Sequence, residues 1–323
     1  MFDSALDPIR AQLALSEEAM IAETRSGIEM ADRAASYLSG NGGKRIRPAI
    51  FLLSSRVVNG IDRSDSELAR VAAAIELMHT ASIMHDDVVD GADVRRGRAS
   101  ANSVWGEKAS VLTGDFLWSV ASAMIADFGN LKLVAAMSEC VKETTLGEIL
   151  ELSCRGMGEV DEETCLRIAR GKTASLFSAA ARSGAIVADS FDGEQALADY
   201  GRLLGMAYQL MDDALDYASS RENLGKRPGT DLSTGTPTYP FVAALSRASP
   251  DEAGVMNDAL RSPDGAGLKE VIAMIERLGG IGTTVELAKE YSERAKDSLK
   301  RFPTSEAKDS LLTLADFASN RRS

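Results

Sequence analysis

The sequence predicts an all-α protein, a single-domain bundle of ten or more antiparallel helices. Three observations predict it. Apolar residues recur at three- and four-residue spacing through nine long segments. Ala, Leu, Met, Glu and Arg abound while aromatic residues make up only 5%, which favours helices over sheets. No alternating strand pattern, internal repeat or low-complexity linker appears, so residues 1–323 read as one domain.

In chain order, the first helical pattern covers 5–38 and stops at the cluster Gly40 to Gly43. The next, 66–90, stops before Gly91 to Gly97. Patterns at 108–127, 131–155, 162–188 and 195–218 follow, and the last leads into the stretch Gly225 to Gly235. Patterns at 237–247, 267–277 and 284–300 complete the set, with Ser262 to Gly267 as the break between the first two.

The bulk numbers narrow the function. The chain is 45% hydrophobic and 26% charged, enough to bury a large core. Its net charge is −12, from 36 basic and 48 acidic residues. That acidity argues against nucleic acid as a partner, since phosphate backbones need a basic footprint. No stretch approaches the roughly 20 uninterrupted apolar residues of a transmembrane segment. The N-terminus lacks the pattern of a signal peptide, so a cytoplasmic protein is expected. Cys140, Cys154 and Cys165 have no zinc spacing and read as reduced bystanders.

The sharpest feature is a duplicated acidic motif. Asp86, Asp87 and Asp90 sit in HDDVVDGADVRRG, and Asp212, Asp213 and Asp216 in YQLMDDALDY. The first and third Asp of each set are four apart and share a helix face. With 25 Asp in the chain, one such motif arises by chance about 0.15 times per chain, so two together carry weight. Clustered carboxylates repel one another unless a cation intervenes. Hard oxygen ligands of this kind suit Mg²⁺, which also takes oxygens from substrate phosphates.

Basic residues cluster nearby in sequence. Lys44 and Arg47 follow a glycine turn, Arg95 and Arg96 follow the first acidic motif, Lys172-Thr173 lies in a helical stretch, and Lys226 follows the second motif. Lys and Arg are natural diphosphate binders. His79 and His85 both precede the first motif on its helix.

The ordered set GGKRIRP, ELMHTASIMHDDVVDGADVRRG, GDFL, GEILEL, GKTASLF, GMAYQLMDDALD and GKRPGTDL resembles the trans-polyprenyl diphosphate synthases, from about residue 10 to the C-terminus. The resemblance implies the isoprenoid synthase fold, helices around a central active-site cavity across which the two aspartate motifs face each other. It implies several Mg²⁺ ions on Asp86, Asp90 and Asp212 first, with Asp87, Asp213 and Asp216 in support. Lys44, Arg47, His79 and Arg96 match residues that hold isopentenyl diphosphate. Arg95, Lys172, Thr173, Gln209 and Lys226 match those around the allylic diphosphate, and a homodimer is expected.

The implied reaction is ionisation, condensation and elimination. Metal and bases neutralise charge on the leaving diphosphate, Thr173 and Gln209 present dipoles to the allylic cation, and the isopentenyl double bond attacks. Two departures stand out. Glu151 occupies a position where the family usually has glutamine, and Thr236 one where it usually has lysine.

The growing chain in this family runs along the helix that bears the first motif. Ala81 and Ser82 lie five and four residues before Asp86, and both are small. The stretch back to Ala74 extends about 18 Å at 1.5 Å per residue, and the two-residue insertion common in bacterial short-chain enzymes is missing. A product of thirty carbons or more is expected, with Met78, Leu77 or Met137 as the floor. Alternatives are a short-chain synthase of fifteen to twenty carbons and a catalytically silent subunit of a heteromeric synthase. A terpene cyclase fits less well, because it has no use for an isopentenyl site.

Overall fold

Ser64 and Glu67 show how directly the sequence starts its helices. The Ser64 hydroxyl accepts the Glu67 N–H at 3.3 Å while the Glu67 carboxylate accepts the Ser64 N–H at 3.0 Å. This reciprocal box satisfies two donors that the helix ladder leaves open and opens the Asp65–Val89 helix, which carries the first aspartate motif. Asp161 caps the Glu162–Ala169 helix with a single side-chain bond, accepting the Thr164 N–H at 2.8 Å.

The computed structural model describes residues 2–39, 43–58, 63–95, 97–158, 160–218, 229–261 and 267–321. Its longer helices are Arg10–Glu23, Glu29–Ser39, Ile46–Val57, Asp65–Val89, Glu107–Asp127, Leu131–Cys154, Glu162–Ala169, Ser175–Val187, Phe191–Ala218, Pro250–Arg261, Leu268–Arg277, Gly280–Ser298 and Glu306–Asn320, with a shorter one at Tyr239–Leu245. The chain divides into two compact units. Met1–Ser138, Ala179–Ala198 and Arg301–Leu311 form the first; Glu139–Ser178, Asp199–Lys300 and Leu312–Ser323 form the second.

In the first unit, Asp65–Val89 packs most extensively on Glu107–Asp127 and Arg10–Glu23, and also on Ile46–Val57. Ile50, Phe51, Leu52, Leu53, Ile75 and Leu77 are fully buried there, each worth about 1.5–3 kcal/mol relative to exposure. Glu107–Asp127 is long and apolar enough to cross a membrane by length and composition. Within this unit it buries Leu117, Ala121, Met124 and Ile125. The second unit has its own core, in which Leu210, Phe241, Met256, Leu260, Val271 and Ile275 are buried together.

Four differences from the sequence reading have physical causes. The pattern at 5–38 breaks at Gly27, whose φ of +75° favours glycine, and Asp32 ties the turn by accepting from the Ser26 N–H and hydroxyl at 2.7 Å. Helices Ile46–Val57, Pro250–Arg261 and Glu306–Asn320 lie outside the nine patterns. A two-residue antiparallel ladder pairs Val94 with Ala99 and Arg95 with Arg98, where no strand was expected. Finally, residues 170–174 form a π turn between Glu162–Ala169 and Ser175–Val187, a local widening of the helix that frequently marks functional positions.

Candidate active site

In the first unit, Asp86 and Asp87 sit in the last turn of Asp65–Val89 and Asp90 caps its C-terminus, giving its N–H to the Asp86 carbonyl at 2.8 Å. Carboxylates at a helix C-terminus oppose the helix dipole, so a neighbouring cation matters. The short ladder supplies one by turning the chain back, and the Arg95 Nε donates to Asp87 Oδ1 at 2.5 Å. Asp87 is fully buried, while Asp86 and Asp90 are half-buried. The middle aspartate, expected in support, is therefore the best enclosed of the three. Arg96 lies outside the described residues.

The two histidines separate in role. His85 Nε2 stands 3.2 Å from the Val111 carbonyl oxygen and 3.3 Å from Asp115. A Cβ on Gly114 would come within 2.4 Å of that ring, so the glycine of GDFL makes room for it. His79 is half-buried, and its carbonyl accepts the Ser82 hydroxyl at 2.9 Å.

Lys44 is exposed, and Arg47 is half-buried in the first turn of Ile46–Val57. Between them Arg45 takes the left-handed conformation, φ 48°, unusual for a residue with a Cβ. Its guanidinium donates to Glu17 at 3.0 Å and to buried Glu76 at 3.1 Å. That contact ties the basic turn to the aspartate-bearing helix one turn before His79. Ala81, Met78, Leu77 and Met137 are buried in this unit and Ser82 is half-buried; the Met137 sulfur accepts the Ser183 hydroxyl at 3.7 Å.

The second unit gathers the other set. Gly147 and Gly171 pack backbone to backbone, since a Cβ on Gly147 would meet the Lys172 nitrogen at 2.5 Å. This close approach brings the π turn against Leu131–Cys154. Lys172 Nζ then lies 2.9 Å from Glu148 and 3.1 Å from Glu151. Thr173 donates to the Gln209 amide oxygen at 2.5 Å, and the Gln209 amide nitrogen donates to Asp213 at 2.7 Å. A small pocket here is lined by Glu151, Lys172, Gln209, Asp213, Thr236 and their apolar neighbours.

Burial pushes the Asp213 carboxyl up to about 7, with Asp212, Glu151 and Asp216 adding repulsion. Asp231, held by its N–H to Asp216 at 3.1 Å, has its carboxyl raised as well, first by burial and then by Asp216 and Asp213. Asp212 is exposed, and its carboxylate pairs with Arg321 at 2.6 Å. Arg321 also donates to the Tyr208 carbonyl at 2.6 Å and lies 3.6 Å over its ring. Lys226 lies outside the described residues.

Sequence reasoning missed the clamps Glu148, Asp231 and Arg321. Asp231 had a signal, because it lies in GKRPGTDL; Arg321 had none, because its partner is distant in the chain. Among the described residues no three His, Cys, Asp or Glu groups form a ready-made metal cage. The donor set nevertheless fits Mg²⁺. It offers several crowded carboxylates, and Mg²⁺ needs only one or two of them beside water and substrate phosphate.

The comparisons with known proteins agree. A profile of the family described as polyprenyl synthetase matches residues 28–277. Octaprenyl diphosphate synthase of Escherichia coli K12 is 38% identical over 305 residues, 94% of each chain. The short chain isoprenyl diphosphate synthase of Methanothermobacter thermautotrophicus is 38% identical over 295 residues, 90% of each chain. Among solved structures, a polyprenyl synthase from Caulobacter crescentus CB15, complexed with calcium and isoprenyl diphosphate, superposes with a TM-score of 0.95 at 34% identity, covering 100% of this chain and 98% of that one. A decaprenyl diphosphate synthase from Rhodobacter capsulatus gives 0.94 at 31%, covering 100% of both chains. The chain thus belongs to the polyprenyl synthetase family.

Proposed function

We propose that this protein is a Mg²⁺-dependent trans-prenyltransferase that condenses isopentenyl diphosphate onto an allylic diphosphate and makes an all-trans product of thirty carbons or more. The observation that carries the reading is the pair of aspartate motifs, each with its middle carboxylate buried and each with a cation beside it, Arg95 on Asp87 and Arg321 on Asp212. Bound Mg²⁺ would neutralise charge on the departing diphosphate. Several ions are expected, with Asp86, Asp87 and Asp90 as the ligands offered by the first unit and Asp212, Asp213 and Asp216 as those offered by the second. Arg95 of the first unit and Lys172 of the second are the bases proposed for the allylic diphosphate. Lys44, Arg47 and His79 hold the isopentenyl diphosphate. Thr173 and Gln209, joined by their hydrogen bond, keep oxygen dipoles near the reacting carbon.

The relatives include octaprenyl and nonaprenyl diphosphate synthases, which support the longer product, beside a short chain synthase. Ala81 and Ser82 favour the longer product, because the positions five and four before Asp86 carry small side chains. The same proposal takes residues 1–323 as one catalytic domain, a homodimer in the cytoplasm. Exposed Leu146, Ile149 and Leu152 recur every third residue along one helix and suit a partner surface.

The test is incubation of purified protein with labelled isopentenyl diphosphate, Mg²⁺ and farnesyl or geranylgeranyl diphosphate, followed by chain-length analysis. Products of thirty carbons or more are expected. Mainly fifteen or twenty carbons would establish the short-chain alternative, and no product from a folded protein with any primer would point to a silent subunit or a cyclase.

A further inference from the structure

The geometry points to Glu151 as a positioning residue that restrains Lys172 and weakens this enzyme's hold on the allylic diphosphate. The inference rests on the reading that Lys172 binds that diphosphate. Lys172 cannot swing freely. The contact of Gly147 with the Gly171–Lys172 backbone and the surrounding π turn fix where its stem begins. Its ammonium sits between two carboxylates one helical turn apart, Glu148 Oε2 at 2.9 Å and the Glu151 oxygens at 3.1 and 3.2 Å.

The Glu151 side chain is only 12% exposed, so water screens this pair poorly. An ammonium–carboxylate hydrogen bond is about twice as strong as one to a neutral amide oxygen. Glutamine at position 151 would therefore release Lys172 far more readily. Arg155, at 3.8 Å from Glu151, takes up part of its charge at a longer range. Thr236 lines the same pocket and is almost fully buried; it brings a hydroxyl where a lysine would bring a charge. Among the described residues lining the pocket, Lys172 is the basic one, set against Glu151 and Asp213. A diphosphate entering here must compete with Glu151 for Lys172, and among the described lining residues no second lysine compensates.

The measurement is binding of a non-ionising farnesyl thiolodiphosphate to the full-length protein with Mg²⁺, by titration calorimetry, alongside steady-state kinetics. Glu151→Gln should tighten binding about three- to tenfold, lower the allylic KM by a similar factor and leave the isopentenyl KM unchanged. Thr236→Lys should tighten binding too, and the double variant more than either. Lys172→Ala reports on the underlying reading, because it must weaken binding. If Lys172→Ala weakens binding and Glu151→Gln leaves it unchanged or weaker, Glu151 does not restrain the lysine and the proposal fails. If Lys172→Ala binds like the parent, Lys172 is not a diphosphate ligand and the underlying reading fails with it. A Glu151→Gln variant that melts lower and loses affinity for both substrates marks a merely structural residue, which also overturns the proposal.

Discussion

Asp213 shows what burial does to a single metal-binding candidate. Its carboxyl is pushed from the usual 3.8 up to about 7 by burial and by three neighbouring carboxylates. An acid that holds its proton more tightly when folded contributes stability below its unfolded pKa. That contribution is lost as pH rises from 3.8 through about 7. The metal-free protein should therefore lose thermal stability across that window, and Asp213→Asn should melt above the parent in EDTA at pH 8, the gap closing as pH approaches 4. Calorimetry over this range checks it, and a gap independent of pH would rule the repulsion out. Asp86 and Asp212 test the chemistry directly. If the proposed roles hold, Asp86→Asn or Asp212→Asn should lower kcat by about a hundredfold or more, since each would remove charge available to a cation on the leaving group. A loss below threefold would remove that residue from the metal set.

At the scale of the element, glycine contacts decide where charges go. Gly147→Ala places a Cβ 2.5 Å from the Lys172 nitrogen; backbone cannot yield cheaply, and overpacking of this kind costs about 1–3 kcal/mol. A lower melting temperature should accompany a higher allylic KM because Lys172 moves with the turn, and an unchanged KM would show that the turn adapts. By contrast, Ser64→Ala should cost about 1 kcal/mol through the lost cap and leave both KM values alone. Some elements were written plainly. The nine patterns foresaw the helices that carry both aspartate motifs and the Lys172 stretch. Others were masked for physical reasons. Ile46–Val57 buries nearly every side chain, so it has no polar face and no period to read. Pro250–Arg261 announces itself by Ser249 and Glu252, which form a reciprocal cap at 2.8 and 3.4 Å, a signal stronger than its modest apolar stripe.

For the whole molecule, the predicted outcome is product length. Ala81 is fully buried in the first unit, and Ala81→Phe should shorten the main product to fifteen or twenty carbons while the fold persists. Product chromatography and circular dichroism together check this; an unchanged product would place the growing chain elsewhere. By itself the sequence determined the helical class, the order of the motifs and the chemistry of their donors. All of these depend on residues three or four apart, and local spacing is enough to set them. Only the tertiary structure decided that the middle aspartates, Asp87 and Asp213, are the dry ones, and that Arg95, Lys172 and Arg321 stand against Asp87, the Glu148–Glu151 pair and Asp212. Burial and ion pairing depend on which surfaces meet, and those partners lie from eight residues to more than a third of the chain apart.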